Sequence, residues 1–363
     1  MLPANPSDPR RLADVLPSVL SAIGGRADGL GLAAVSRALV VLVDGLGQLQ
    51  LRAHRGHART LGTASAVKGS SIVSGFPTTT ASALTSLATG TRAGQHGLVG
   101  YDALVPGEGV RNQLREWGGP MDPLIHQRSQ PLWSRARTAI VAEQKYARSG
   151  FTAATLRGGD YLGHDGLEDR VEAAIQALQT HQLVYLYIPE LDRVGHRCGV
   201  DSDAWVGVLE TVDSIVDRLA RAATKAGAGM LVTADHGMVD VPPHRHLIVG
   251  DLLAGVEHIA GETRALQLHT APDAEAASLA RSLEAELGDA VWVATREQLA
   301  DSGWLGSVHV DVLPRIGDVI VAARGRWALY VDESDPARAM VGQHGSFTDE
   351  ELRVPLARFA AWA

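Results

Sequence analysis

A chain of 363 residues with 45% hydrophobic and 20% charged residues is globular in composition, and long enough for one large α/β domain or two ordinary ones. Its net charge of −8 and pI near 5.9 argue against a protein that coats nucleic acid, which would carry a basic face. The single cysteine, Cys198, excludes an intrachain disulfide framework and a cysteine-rich zinc site, and fits a reducing compartment.

The N-terminal stretch MLPANPSDPRRLADVLPSVLSAIGG has no uninterrupted apolar core and does not read as a signal peptide. No apolar run reaches the ~18 residues of a membrane span, so a cytoplasmic location is expected. Four apolar runs predict buried strands: Ala38–Val43, Thr138–Ala142, Leu183–Ile188 and Met230–Thr233. Between them, Leu167–Thr180 and Trp205–Ala223 have helical spacing; Val208, Val212, Ile215, Val216 and Leu219 share one face of the second. This alternation predicts an α/β fold with a mostly parallel sheet flanked by helices, and ligands at the carboxyl ends of its strands. From Thr263 to Tyr330 the pattern changes: RALQLHT, a helix around Ala274–Leu287, AVWVATREQL and DVIVAARGRWALYV suggest a small α+β insertion. The expected division is a catalytic core of residues 1–262 and 331–363 with an insertion or cap at 263–330.

Chemistry-bearing residues gather where the predicted strands stop. Asp44 ends LVVLVDGLG, Asp192 and His196 end YLYIPELDRVGH, Asp235 and His236 end MLVTADHGM, and His344 lies in VGQHGS. Asp192 and His196, four residues apart, can face one ion from a single helical turn. Taken singly, a post-strand Asp more often caps a helix and a loop His is common; the weight lies in their joint occurrence. Three carboxylates and three imidazoles suit two divalent metal ions. Thr78, Thr79 and Thr80 precede an expected helix ending at Thr89, which offers a hydroxyl beside the free N–H groups that favour phosphate.

The order Asp, Thr, Asp-x-x-x-His, Asp-His, His resembles the alkaline phosphatase superfamily, and within it the nucleotide pyrophosphatase/phosphodiesterase-like branch. The segments that carry the resemblance are VDGLG, FPTTT with ATGTRAGQHGLVGYD, ELDRVGH, TADHGM and GQHG, spread from about Leu39 to Leu356. The resemblance implies an alkaline phosphatase-like fold with two metal sites. One would be held by Asp192, His196 and His344; the other by Asp44, Asp235 and His236, completed by the oxygen of the nucleophile. Counting back nine residues from Thr89-Gly90, as the family pattern directs, gives Thr80 as nucleophile and metal ligand, with Thr79 as runner-up. Tyr187, five residues before Asp192, corresponds to a tyrosine that packs against a substrate base, though an aromatic filling a strand end is the plain alternative.

The implied activity is that of a two-metal phosphoric ester hydrolase: a phosphodiesterase or nucleotide pyrophosphatase working through a phospho-threonine intermediate on a small-molecule phosphate ester. A phosphomonoesterase, a phosphonate hydrolase and a non-catalytic metal-stabilised binding protein are the alternatives. Zinc is the expected ion, since mixed imidazole and carboxylate ligands suit it, with manganese or iron able to use the same ligands. Where nucleotide pyrophosphatases carry an Asn three residues after the Thr, this chain has Ala83, which leaves diester against monoester open. Arg92, Arg193 and His246 are the candidates for the extra cationic contacts a monoester would need. The sulfatase branch is disfavoured, because Cys198 lies in HRCGV rather than in a Cys-x-Pro-x-Arg context.

Overall fold

The computed structural model describes residues 2–6, 10–27 and 29–363. A seven-stranded sheet runs in the order Ser71–Val73, Arg353–Ala360, Gly229–Thr233, Ala38–Val43, Leu183–Ile188, Thr138–Ala142, Asp160–Gly163. The five strands from Gly229–Thr233 to Asp160–Gly163 are parallel, and Arg353–Ala360 closes the other side antiparallel to its neighbours. The fold is therefore α/β with a mostly parallel sheet, as the alternating pattern predicted. All six residues of Ala38–Val43 are buried, the signature of a central strand covered on both faces. The helices Leu167–Ala177 and Asp203–Lys225 pack on the sheet; the second buries Leu209, Val212, Ile215, Val216 and Leu219.

Three expected strands keep their bounds, and the fourth begins one residue earlier, at Gly229. Strand Arg353–Ala360 has no clear signature in the sequence, because Pro355 and the charged Arg353 and Arg358 interrupt its apolar run. Pro355 pairs at the edge with Ser71, where its missing N–H costs little.

A second sheet of six antiparallel strands runs Val291–Thr295, Val319–Ala323, Ala265–Thr270, Val256–Glu262, Asp102–Val105, Gly109–Asn112. Four of these strands lie within 256–323, and the hairpin at 102–112 joins them from much earlier in the chain. Arg264, fully buried, ties this sheet to the first. Its Nε donates to Glu351 Oε1 at 3.1 Å and its Nη2 to Oε2 at 2.7 Å. Glu351 in turn accepts from the Ser346 N–H at 2.9 Å, which fixes the loop carrying His344.

Candidate active site

Each acidic residue stands where a parallel strand stops. Asp44 follows Ala38–Val43, Asp235 follows Gly229–Thr233 by two residues, and Asp192 lies in the first turn of the helix Glu190–Cys198. His196 is one helical turn further along the same face. Gly45 takes φ +74°, and a Cβ there would come within 3.1 Å of Asp192, so the turn after Asp44 requires glycine. His344 arrives from the far end of the chain, its Nδ1 donating to the Thr78 carbonyl at 2.8 Å.

The six side chains converge as two adjoining groups. In one, His196 Nε2 is 3.4 Å from Asp192 Oδ1 and 3.3 Å from His344 Nε2, and His344 Nε2 is 3.9 Å from Asp192 Oδ1. In the other, His236 Nε2 is 3.5 Å from Asp44 Oδ1 and 3.4 Å from Asp235 Oδ2. The rings of His236 and His344 stack at 3.6 Å, so His236 also comes within 4.8 Å of the ligand atoms of Asp192 and His344. It stands at the seam between the groups.

These residues fit cations. Asp44 Oδ1, Asp192 Oδ1 and Asp235 Oδ2 are buried without a hydrogen-bond partner, a costly state for carboxylates left to themselves. The Nδ1 atoms of His196 and His344 face the carbonyls of Gly342 and Thr78, each at 2.8 Å, and His236 Nδ1 faces the Gly237 carbonyl at 3.2 Å. Each imidazole thus carries its proton on Nδ1 and turns an Nε2 lone pair inward. Two such lone pairs 3.3 Å apart, with a carboxylate oxygen beside them, repel one another unless a cation lies between. These carbonyls are the partners of the histidines that no motif revealed.

The electrostatics agree. Burial, reinforced by neighbouring carboxylates, raises Asp192 and Asp235 to about 7 and lifts Asp44 well above the usual range. Burial, with His196 nearby, lowers His236 to about 3. The array is short of positive charge by its own construction.

Among the three threonines, Thr78 donates to the Ser346 carbonyl at 2.8 Å and is fully buried, while Thr79 is the buried N-cap residue of helix Thr80–Thr89. Thr80 is the first helical residue and is partly exposed, with Oγ1 at 3.2 Å from His236 Nε2. It opens on a cavity of about 710 Å³ that all six of these acidic and imidazole side chains line except the fully buried Asp235 and His236.

Several wall residues were missed from the sequence. Tyr101, Asp102 and Arg115 come from around the early hairpin, Tyr146 from the turn after Thr138–Ala142, and Glu262 from the second sheet. Tyr101 and Asp102 close the segment ATGTRAGQHGLVGYD, which carried no role for them; Arg115, Tyr146 and Glu262 lie in no motif, and only the meeting of the two sheets puts them here. Of the expected cationic contacts, Arg193 reaches the wall but is held by both oxygens of Glu143. Arg92 turns away to the Gly303 carbonyl at 3.0 Å, and His246 packs on the Tyr330 ring, outside the cavity. Ala83 sits in the main core and does not line the cavity, so its small side chain serves packing. Tyr187 lines the cavity, with its hydroxyl donating to Asp44 Oδ2.

Comparisons with known proteins show the fold and the family. The overall fold is similar to human ectonucleotide pyrophosphatase/phosphodiesterase 5, with TM-score 0.69 and 17% identity over 89% of this chain and 87% of that one. The murine protein, in an inactive form in complex with AMP, superposes with TM-score 0.65 and 20% identity over 88% and 87%. Short segments match 2,3-bisphosphoglycerate-independent phosphoglycerate mutases. The Gloeobacter violaceus enzyme is 40% identical over 70 residues, 19% of this chain and 13% of that enzyme. The Shewanella baltica enzyme is 29% identical over 156 residues, 43% of this chain and 24% of that enzyme. The chain thus spans a quarter or less of the length of these curated relatives. The model of the family described as type I phosphodiesterase / nucleotide pyrophosphatase matches residues 38–347, from the strand before Asp44 to just beyond His344. Fold, ligand order and this match together place the chain in the type I phosphodiesterase / nucleotide pyrophosphatase family, within the alkaline phosphatase superfamily.

Proposed function

We propose that this protein is a metal-dependent phosphodiesterase that works through a phospho-threonine intermediate on Thr80. The observation that carries the reading is the placement of Thr80 Oγ1, 3.2 Å from His236 Nε2, at the mouth of two groups of buried, unsatisfied ligand atoms. Asp44, Asp235 and His236, with Thr80, would hold one ion; Asp192, His196 and His344 would hold the other. Two such ions supply charge neutralisation at phosphorus and lower the pKa of bound hydroxyl groups. The mixed N and O ligands favour zinc, with manganese or iron as alternatives.

The chain's own part is to aim the nucleophile and receive the phosphoryl group. Thr79 enters the helix in an extended conformation, φ −127° and ψ 144°, and no side chain caps the helix start. The first N–H groups are therefore free to donate to a non-bridging phosphate oxygen. The Thr80 hydroxyl loses its proton to solvent and Oγ forms a bond to phosphorus as the bond to the leaving oxygen breaks, that oxygen taking a proton from solvent. Water then attacks phosphorus from the vacated side, the Oγ–P bond breaks, and one proton of the water passes to Oγ, which restores the hydroxyl of Thr80.

A diester suits the cavity better than a monoester. Tyr101, Leu114, Ile259, Leu266 and Met340 give its wall room for a second organic group, while Arg193, the arginine beside the ligands, is neutralised by Glu143. The test is p-nitrophenol release by metal-loaded protein from bis-p-nitrophenyl phosphate and from p-nitrophenyl phosphate. Faster, chelator-sensitive turnover of the diester supports the reading. Preference for the monoester would make this a phosphomonoesterase, and no chelator-sensitive turnover of either would leave a metal-stabilised binding protein.

A further inference from the structure

Tyr187 occupies a place where sequence reasoning expects an aromatic wall for the substrate, yet its hydroxyl is already engaged. The strands Ala38–Val43 and Leu183–Ile188 run parallel, with Leu42 opposite Tyr187 and Val43 opposite Ile188. Side chains alternate along a strand, so Tyr187 projects on the same side as Leu42 and as Asp44, two residues beyond. The Asp44 N–H donates to the Ile188 carbonyl at 2.9 Å, which fixes the stagger of the two strand ends. The buried Arg170 donates to the Tyr187 carbonyl at 3.0 Å and pins the tyrosine's own backbone.

The two carboxylates beside His236 are oriented by the same device. Asp235 Oδ1 accepts from the Gly45 N–H at 3.2 Å and the His236 N–H at 3.0 Å, leaving Oδ2 without a partner. Asp44 Oδ2 accepts from the Tyr187 hydroxyl, leaving Oδ1 without one. Each carboxylate has one oxygen held by the protein and one turned toward His236 Nε2, at 3.5 Å for Asp44 and 3.4 Å for Asp235. In Asp44 the holding donor is a side chain, so it can be removed without touching the backbone.

We infer that Tyr187 is a positioning residue: its hydroxyl fixes the Asp44 carboxylate in the one-oxygen presentation that the ion beside His236 requires, rather than its ring stacking on substrate. Swinging the ring onto a substrate would break this bond and leave the second Asp44 oxygen buried and unpaired. The inference rests on the metal-binding part of the proposed function and is independent of turnover.

The test is calorimetric titration of zinc into chelator-stripped wild-type, Tyr187→Phe and Tyr187→Leu proteins. Phe keeps the ring and loses only the donor. Both variants are expected to bind one zinc equivalent about tenfold or more weakly, within the 10- to 100-fold range for partners that orient a metal ligand. KM for bis-p-nitrophenyl phosphate at saturating zinc should stay within about twofold of wild type in Tyr187→Phe, and its activity at limiting zinc should recover as zinc is added. Wild-type zinc affinity at both sites in Tyr187→Phe, with KM raised in Tyr187→Leu alone, would overturn the inference and restore the ring-stacking role. Added to Asp44→Asn, Tyr187→Phe should cost no further zinc affinity. A further loss would show that the hydroxyl does not act through Asp44, and this comparison remains decisive if the Leu variant folds poorly. A wild-type protein that binds zinc but cleaves neither ester would overturn the hydrolase reading alone, since the titrations still decide the role of Tyr187.

Discussion

The two sheets divide the labour of the site. The parallel sheet supplies Asp44, Asp192, Asp235 and their neighbouring histidines from strand ends that point one way, so its ligands meet because its strands are aligned. The antiparallel sheet contributes no member of either candidate metal-binding group; it supplies wall, with Ile259, Leu266 and Glu262 lining the cavity. Where strands run parallel, every carboxyl end is a place for polar groups that the next turn need not satisfy. Where they alternate in direction, the loops scatter to both edges and the faces become surfaces. Reaction chemistry and substrate shape thus rest on different architecture and should fail separately.

Thr80→Ala should break the parallel-sheet half most completely, lowering turnover of bis-p-nitrophenyl phosphate by about a thousandfold or more while zinc still binds. Thr79→Ala should keep most of the activity. The reverse ranking in steady-state assays would move the nucleophile by one residue.

The next largest effect belongs to the junction. Arg264 and Glu351 are both fully buried and bonded to each other by two hydrogen bonds. Arg264→Met leaves the Glu351 carboxylate uncompensated and should cost about 3–5 kcal/mol in urea unfolding. Because Glu351 also holds the Ser346 N–H, affinity for the ion at His344 should fall as well. Loss of stability with unchanged zinc binding would show that the two sheets are not coupled through this pair.

Removing metal should be milder. Chelation should lower stability by ~2.7 kcal/mol for each site that had been held at a hundredfold excess over its Kd, read as a drop in Tm that added zinc reverses. His344→Ala should lower the zinc stoichiometry from two to one.

The last effect is in acid, and it probes the contact of Arg315 with His96 and His126. His96 and His126 are buried beside Arg315, and burial followed by that charge lowers each to about 3. A folded-state pKa below the unfolded value of about 6.5 means that the unfolded chain takes up the proton first. The associated stability is therefore present above pH ~6.5 and is lost as pH falls toward 3, at up to ~1.4 kcal/mol per pH unit for each histidine. Buried carboxylates titrate oppositely, so the useful quantity is wild type minus variant. The Tm advantage of wild type over His96→Gln should shrink between pH 7 and pH 4, and an advantage that grows would refute the sign.

The sequence alone determined the parallel sheet and singled out the six acidic and imidazole side chains that the fold brings together beside Thr80, for a physical reason. A buried strand must be a continuous apolar run, so the first charged residue after it marks the carboxyl edge, where ligands collect. Asp44 and Asp235 are of this kind, and the four-residue spacing of Asp192 and His196 is readable because one helical turn puts both on one face. Tertiary structure decided what depends on contacts between distant segments. It brought His344 to His196 and gave Glu262 a place in the wall. It put Ala83, which stands where the family pattern carries an Asn, in the core and away from the cavity. It also turned the Tyr187 hydroxyl onto Asp44, because the stagger between two adjacent strands sets that distance and no one-dimensional spacing records it.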